Sequence, residues 1–225
     1  MPRVRRLAVS LLVLSLALPA QAGTGQLTRF RLIIDQSRQT WRYPDTGNRN
    51  DTRLTRARAV WDEDLGPRLG GTLELTYLDL SQSSPGSYAA TVSTGQGLGV
   101  GLHYRLIQSR SLGLTLFGSI GYQTTRGDNG TDTTERDWWQ GQLGLQLGVP
   151  LGRAVTLIGG GAYERLGGEE RITGNGLDLR RTFELDEPAY GFAGARLNLG
   201  SGGFLGLRYH AGSRSGGYVS FGNTF

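Results

Sequence analysis

Apolar and small or polar residues alternate along most of the chain after its first segment. The clearest stretch places apolar side chains at every second position from 98 to 106, namely Leu98, Val100, Leu102, Tyr104 and Leu106. Between them lie Gly99, Gly101, His103 and Arg105. A period of two is typical of a β-strand with two different faces, and not of an amphipathic helix.

The same alternation recurs further along the chain, and no segment with a 3.6-residue period competes with it after the first segment. The apolar positions of these other stretches are Leu112, Leu114, Leu116, Ile120 and Tyr122; Trp139, Leu143, Leu145, Leu147 and Val149; Leu205, Leu207 and Tyr209; and Val219, Phe221 and Phe225. Each stretch therefore predicts a strand with one leucine-rich face and one face of Gly, Gln, Arg or His.

A soluble β-sandwich and a membrane β-barrel both produce such alternation, and the second face separates them. Glycine on a solvent-exposed face gains nothing, whereas small residues and paired charges suit a narrow barrel lumen. Aromatic residues near the segment ends fit interfacial girdles, for example Trp41, Trp61, Trp138, Trp139 and Tyr163. A sheet in lipid must also close to satisfy its backbone hydrogen bonds. The pattern therefore predicts an all-β, transmembrane, antiparallel up-and-down β-barrel in a single domain.

The connections alternate between tight and longer polar segments, which gives the number of strands. Tight turns are expected at residues 66–70, 108–111, 150–153 and 200–203, and longer polar connections near residues 43–51, 81–87, 126–136 and 167–181, with a short one at 213–216. Short periplasmic turns and longer outer loops are usual in outer-membrane barrels. About ten strands are expected, with eight as the alternative.

The first segment predicts export. Arg3, Arg5 and Arg6 precede an apolar run over residues 7–18, and the small-residue motif Ala20-Gln21-Ala22 follows. This is the layout of a cleaved signal peptide, and the run is too short to span a bilayer. We expect residues 1–22 to be removed and residues 23–225 to form the barrel in the bacterial outer membrane.

Composition narrows the possible functions. The 225-residue chain has no Cys, two His and 37 Gly, and all 24 of its basic residues are Arg. The lack of Cys excludes disulfides and thiolate metal sites. Removing the signal peptide leaves 21 Arg against 19 acidic residues, so the basic charge does not indicate nucleic-acid binding. We expect no metal and no cofactor.

The C-terminal strand leads to a resemblance. Val219, Phe221 and the terminal Phe225 lie on one face, which looks like the signal that the outer-membrane assembly machinery recognises, although Asn223 departs from the usual apolar residue there. With the signal peptide and the strand ladder, the chain resembles the small bacterial outer-membrane β-barrel proteins, the broad OmpA/OmpX-like and porin-like group. The resemblance implies contact with outer-membrane lipid, lipopolysaccharide and the assembly machinery. A monomer is favoured.

If the apolar face meets lipid, charged residues point into the lumen. The predicted lumen network consists of Arg29, Arg31, Arg56, Arg58, Glu74, His103, Arg105, Glu164, Arg196, Arg208 and His210, with Asp35, Asp62 and Asp64 as further inward acids. Confined charges are costly unless they pair, so a salt-bridged plug is expected.

Three functions remain open. The first is a non-enzymatic barrel with a structural or surface-interaction role in the envelope. The second is a narrow channel for small polar or anionic solutes through the arginine-rich lumen. The third is a barrel enzyme, such as a lipid A-modifying enzyme or a protease, for which the resemblance supplies precedents. His210 and Ser213 are three residues apart and fall on opposite strand faces, and no carboxylate completes a triad with His103, so no catalytic residues are predicted.

Overall fold

The computed structural model describes residues 27–83, 92–174 and 176–225, which form eleven antiparallel strands. The strands are β1 (Thr28–Tyr43), β2 (Asn48–Asp64), β3 (Leu69–Gln82), β4 (Val92–Gln108), β5 (Gly113–Asp128), β6 (Thr133–Leu151), β7 (Val155–Gly174), β8 (Leu177–Leu185), β9 (Ala189–Asn198), β10 (Gly203–Gly212) and β11 (Ser215–Thr224). No helix in these ranges has the length and apolar character needed to cross a membrane. The predicted signal peptide, residues 1–22, lies outside the described residues.

Ten of the strands close into a ring, which confirms the barrel and its expected strand number. Strand β1 pairs with β2 on one side and with β11 on the other, from Arg29 opposite Thr224 to Arg38 opposite Ser215. The ring runs β1 to β7 and then β9, β10 and β11. Closure satisfies the backbone groups that an open sheet edge would expose to lipid.

Strand β8 changes the strand number at one end of the barrel. Strand β7 pairs with β9 up to Tyr163, and from Gly167 onward it pairs with β8 instead. On its other side β8 reaches β1, where Leu185 lies opposite Trp41. The last hairpin, β10–β11, is short and turns at Ser213 and Arg214, below this junction. Strands β1 to β8 therefore form a ring of eight above the ring of ten.

The two ends of the barrel have different connections. Both Thr28 and Thr224 lie at one end, together with the tight turns at residues 65–68, 109–112, 152–154 and 199–202. Gly152 and Gly200 have φ angles of 71° and 72°, a left-handed conformation that favours glycine in such turns. Short turns mark the periplasmic side. We call this the periplasmic end and the opposite one the outer end.

Most of the longer outer loops that the sequence predicted are strands instead. The connection between β1 and β2 is residues 44–47 only, that between β5 and β6 is residues 129–132, and residues 167–181 lie almost entirely in β7 and β8. The outward face of these strand ends is polar because they project above the lipid, so they lack the outward apolar face that marks a membrane strand. The connection between β10 and β11 is short, as predicted, and residues 84–91 lie outside the described ones.

An apolar belt surrounds the outside of the ten-stranded part. Leu98, Val100 and Leu102 of β4 are more than half exposed, and leucines of the other strands continue the belt. Its upper edge carries exposed aromatic rings, namely Tyr122, Trp139, Tyr163 and Tyr209. The lipid-facing position of the leucine faces is therefore as predicted.

Two of the expected girdle aromatics lie elsewhere. Trp41 and Trp138 point into the barrel and are 0% and 1% exposed. The expectation that they belong to the girdle was wrong, because the strands continue beyond the lipid and their inward face there is apolar.

Candidate functional site in the barrel lumen

The outer end of the lumen is filled by a cluster of apolar and aromatic side chains. We call it the outer plug; its members are Trp41, Tyr43, Leu54, Leu78, Leu80, Trp138, Leu166 and Phe183. None of them is more than 3% exposed. The rings of Trp41 and Phe183 stack with centroids 4.4 Å apart, and Trp138 meets Trp41 edge-on at 5.4 Å. Phe183 belongs to β8, so the eight-stranded closure brings this ring into the plug.

A buried ion-pair group lies beside the outer plug. Arg136 of β6 and Glu170 of β7 are 2.6 Å apart and essentially unexposed. Glu170 also pairs with Arg181 of β8 at 2.9 Å. Arg136 donates further hydrogen bonds to Ser93 at 2.8 Å and to Gln82 at 3.1 Å. Three strands are thus joined by one carboxylate, which compensates part of its desolvation cost through several charge-assisted bonds.

Glu164 is the centre of a second network, at mid-height. It accepts hydrogen bonds from Gln140 at 2.7 Å, from Gln39 at 3.3 Å and from Arg214 at 2.7 Å. Arg214 comes from the turn of the short β10–β11 hairpin and is buried. The last hairpin is therefore anchored to β7 through the lumen.

The third network joins the first three strands. Asp35 of β1 pairs with Arg56 and Arg58 of β2, at 2.9 Å in each case, and Arg58 also reaches Glu74 of β3 at 3.2 Å. Arg56 and Asp35 are 4% and 5% exposed. These charges cross-link neighbouring strands inside the lumen.

Glycines on the inward face make room for aromatic rings. A Cβ atom on Gly144 would lie 2.6 Å from the ring of Phe117, and one on Gly160 would lie 2.5 Å from the ring of Phe192. Phe192 packs in a second, smaller cluster with Ala162 and Tyr190. The inward glycines therefore fit an interior that is filled by side chains.

Below these networks lies a cavity of about 310 Å³ in the periplasmic half of the lumen, which we call the periplasmic cavity. Arg31 forms an ion pair with Asp62 at 2.7 Å, and Arg105 pairs with Asp64. Their side chains are 28% and 18% exposed, so water reaches the cavity from the periplasmic end. Its wall also includes three arginines that form no ion pair within 4.0 Å among the described residues, namely Arg29, Arg196 and Arg208.

The structure places all the predicted lumen residues inside the barrel, at different heights. The residues at the periplasmic cavity are Arg29, Arg31, Arg58, Glu74, His103, Arg105, Arg196, Arg208 and His210. Arg56 and Glu164 lie in the mid-height networks. Val219, Phe221 and Phe225 lie outside and are 42%, 38% and 49% exposed, and their part in assembly stays a prediction.

Sequence reasoning missed three central charges: Arg136, Glu170 and Arg214. Residues 167–181 were expected to form a polar connection, which is wrong for Glu170 because β7 extends past it to Gly174. Continuing the alternation of β6 upward from Gln140 and Trp138 would have placed Arg136 inside. Arg214 gives no periodic signal because it lies in a two-residue turn.

His103 and His210 both line the periplasmic cavity. In the described ranges, neither His103 nor His210 makes a side-chain hydrogen bond with a hydroxyl or carboxylate, and His210 stacks on Tyr190 at 5.4 Å. No group of three His, Asp or Glu side chains in these ranges is placed to hold a metal ion.

Outside the membrane, the β7–β8 hairpin carries an exposed ion pair. Arg171 donates two hydrogen bonds of 2.9 Å to Asp178. These bonds hold the pKa of the Asp178 carboxyl below its ordinary value. The hairpin tip is therefore zwitterionic at neutral pH.

The closed ring, the apolar belt and the polar, filled interior define a class of protein: the chain is an outer-membrane β-barrel. No protein-family model matches it, and no curated protein sequence matches it. Among solved structures, it is similar to the translocator domain of the autotransporter NalP from Neisseria meningitidis, with a TM-score of 0.51, 16% identity, and coverage of 99% of this chain and 96% of that one. It is also similar to the outer membrane protease OmpT from Escherichia coli, with a TM-score of 0.53, 7% identity, and coverage of 92% and 99%. At these identities the likeness shows the fold alone, which agrees with the barrel and its outer-membrane location.

Proposed function

We propose that this protein is a non-conducting outer-membrane barrel with a structural or surface-interaction role in the envelope. The observation that carries the proposal is the outer plug across the eight-stranded end. Its tryptophan and phenylalanine rings are in van der Waals contact and exclude water, and the Arg136–Glu170 pair adds a buried ionic lock beside them. A small barrel has little free bore even before such filling.

Opening a path through this end would be costly. At least one large ring would have to leave a packed position, and truncating a buried Phe or Trp typically costs about 3–5 kcal/mol. The ion pairs beside it join β6, β7 and β8, so the wall itself resists widening. We therefore infer that ions do not cross the folded barrel.

The outer surface supports a role in contacting lipopolysaccharide. Arg38 of β1 and Arg53 of β2 lie directly opposite each other, point outward, and are exposed. Like charges at such a position are destabilising on their own. On β1, Arg38 lies two outward-facing positions above the belt residue Ile34. The pair is therefore at the height where lipid phosphates are expected. Anionic phosphate of the outer leaflet would neutralise the pair.

Planar-bilayer conductance tests the non-conducting role. The wild-type barrel is expected to give no stable current steps, whereas the double variant Trp41→Ala, Phe183→Ala should conduct because it empties the plug. Trp139→Ala, which removes an outward ring from the neighbouring position of Trp138, is the matched control and should remain silent. A folded double variant that stays silent would show that the plug is not the barrier.

A narrow anion channel is the second candidate, favoured by the arginine-rich periplasmic cavity. The channel hypothesis differs from the non-conducting one in a measurable outcome. It requires that the wild-type protein gives stable current steps and that these currents are selective for anions. That result would overturn the non-conducting role. The proposed role is also non-enzymatic, and hydrolysis of lipid A or of peptides by the pure folded barrel would contradict this part.

A further inference from the structure

Seven arginines line the periplasmic cavity, and they fall into two groups. Four of them have carboxylate partners: Arg31, Arg58, Arg105 and Arg214. The other three form no ion pair within 4.0 Å: Arg29, Arg196 and Arg208. All 19 acidic residues of the chain lie in the described ranges, so no carboxylate side chain elsewhere in the chain can supply the missing negative charge.

The side chains of Arg196 and Arg208 are held in place by rings rather than by acids. Arg196 lies 5.9 Å above the ring centre of Phe204. Arg208 lies between Phe192 at 4.4 Å and Tyr218 at 5.2 Å, and donates one hydrogen bond to Gln146 at 2.6 Å. The Nε atoms of both arginines are buried without a hydrogen-bond acceptor. Stacking fixes a guanidinium plane and leaves donors on its edge unused.

A glycine in the cavity wall limits how much of the cavity is filled by side chains. Gly206 lies opposite Arg196 in the register of β9 and β10. A Cβ atom there would lie 2.5 Å from the hydroxyl of Ser220. Gly206, Ser220 and Arg196 all line the cavity, so a side chain at 206 would crowd Ser220 and reduce the volume that these residues enclose.

Uncompensated charges in a confined interior are unfavourable, and a mobile counter-ion is the remaining way to neutralise them. Guanidinium groups match the geometry of oxyanions, to which they donate paired hydrogen bonds. We infer that the periplasmic cavity is a binding site for a small polyvalent oxyanion of the phosphate type, held by Arg29, Arg196 and Arg208.

The size and access of the cavity limit the ligand. A volume of about 310 Å³ accepts inorganic phosphate or a small phosphomonoester, but not a lipid with its acyl chains. Entry is from the periplasm, because the outer plug closes the other end. Binding needs no passage through the barrel, so this inference is independent of the proposed non-conducting role.

Isothermal titration of the detergent-folded full barrel with inorganic phosphate tests the site, with sodium chloride at matched ionic strength as reference. Saturable binding to one site is expected for phosphate and not for chloride. Arg196→Gln and Arg208→Gln should each weaken it about tenfold or more, the effect of losing a charge-assisted hydrogen bond. Arg165→Gln, which removes an exposed arginine from the outside of β7, is the matched control and should bind as wild type.

A second variant covers the case in which a buried substitution prevents folding. Arg29 lies nearest the periplasmic end, and Arg29→Gln should also weaken phosphate binding, although less than the two stacked arginines. A parallel titration with a small sugar phosphate shows whether the cavity binds free phosphate or a phosphomonoester more tightly. Equal responses to phosphate and chloride, or unchanged affinity in folded Arg29, Arg196 and Arg208 variants, would overturn the inference.

Discussion

Arg136 and Glu170 face each other directly across β6 and β7, and their side chains meet inside the barrel at 2.6 Å. Neither side chain is more than 1% exposed. The adjacent Glu169 points outward and is exposed. Two consecutive glutamates thus have opposite environments, which follows from the alternation of a strand.

Glu170→Gln should destabilise the barrel strongly, because it removes the carboxylate that the buried Arg136 shares with the partly buried Arg181. Removing one partner of a buried ion pair typically costs about 3–5 kcal/mol. Urea unfolding in lipid vesicles, followed by tryptophan fluorescence, measures the change. Glu169→Gln is the control and should stay within about 0.5 kcal/mol of wild type. Equal effects of the two substitutions would contradict the buried position of Glu170.

Leu145→Arg tests the apolar belt. Leu145 lies in the middle of the outward face of β6, and 46% of its surface is exposed. An arginine near the bilayer midplane costs about 2–4 kcal/mol. Leu199→Arg, at an equally apolar but exposed turn residue of the periplasmic end, should cost much less. The folded fraction of each variant in vesicles can be measured from heat-modifiable gel mobility. If Leu145→Arg folds as well as wild type, Leu145 does not face lipid.

The consecutive glycines of β7 give a steric test of the lumen packing. A Cβ atom on Gly160 would lie 2.2 Å from the carbonyl oxygen of Leu145 and 2.5 Å from the Phe192 ring. On Gly159, which points outward, the nearest atom would be 3.9 Å away. Gly160→Ala should therefore cost about 1–3 kcal/mol through overpacking, and Gly159→Ala should be nearly neutral. Thermal unfolding of both variants provides the comparison; the opposite order would mean that the two faces are exchanged.

The Arg38–Arg53 pair makes a prediction for lipopolysaccharide. The double variant Arg38→Gln, Arg53→Gln should bind lipopolysaccharide less tightly, by about fivefold per lost charge if each contributes about 1 kcal/mol. Arg110→Gln removes an exposed arginine from a periplasmic turn and should change nothing. Co-migration of lipopolysaccharide with the detergent-solubilised protein is the measurement. Undiminished binding by the double variant would remove this pair from the contact surface.

The sequence predicts the membrane part well because lipid imposes a simple rule, apolar outward at every second position. Above the lipid the rule reverses. On β3, Leu73 and Leu75 point outward into the belt, whereas Leu78 and Leu80 point inward to the outer plug. On β3 the apolar side chains therefore switch from the outward to the inward face between Tyr77 and Leu78. This switch marks the height of the membrane surface.

The cross-barrel partners could not be predicted in the same way. Arg214 and Glu164 are 50 positions apart and belong to different hairpins, so only the order of β7, β9, β10 and β11 in the folded sheet brings them together. The excess positive charge of the periplasmic cavity also depends on which arginines form ion pairs with carboxylates. That pairing is set by the heights of the strands and not by their sequence pattern.

The junction at β8 has a consequence for how such barrels vary. Strand β1 is the partner of β11 in the lower ring and of β8 in the upper ring, so the two rings share one closing strand. Where the upper ring has β8, the lower ring has β9 and the β10–β11 hairpin. Lengthening, shortening or losing this hairpin would alter the girth of the part within the bilayer while the outer end kept its eight strands and its packing. The surface presented to the outside of the cell and the width of the lumen can therefore diverge independently during evolution.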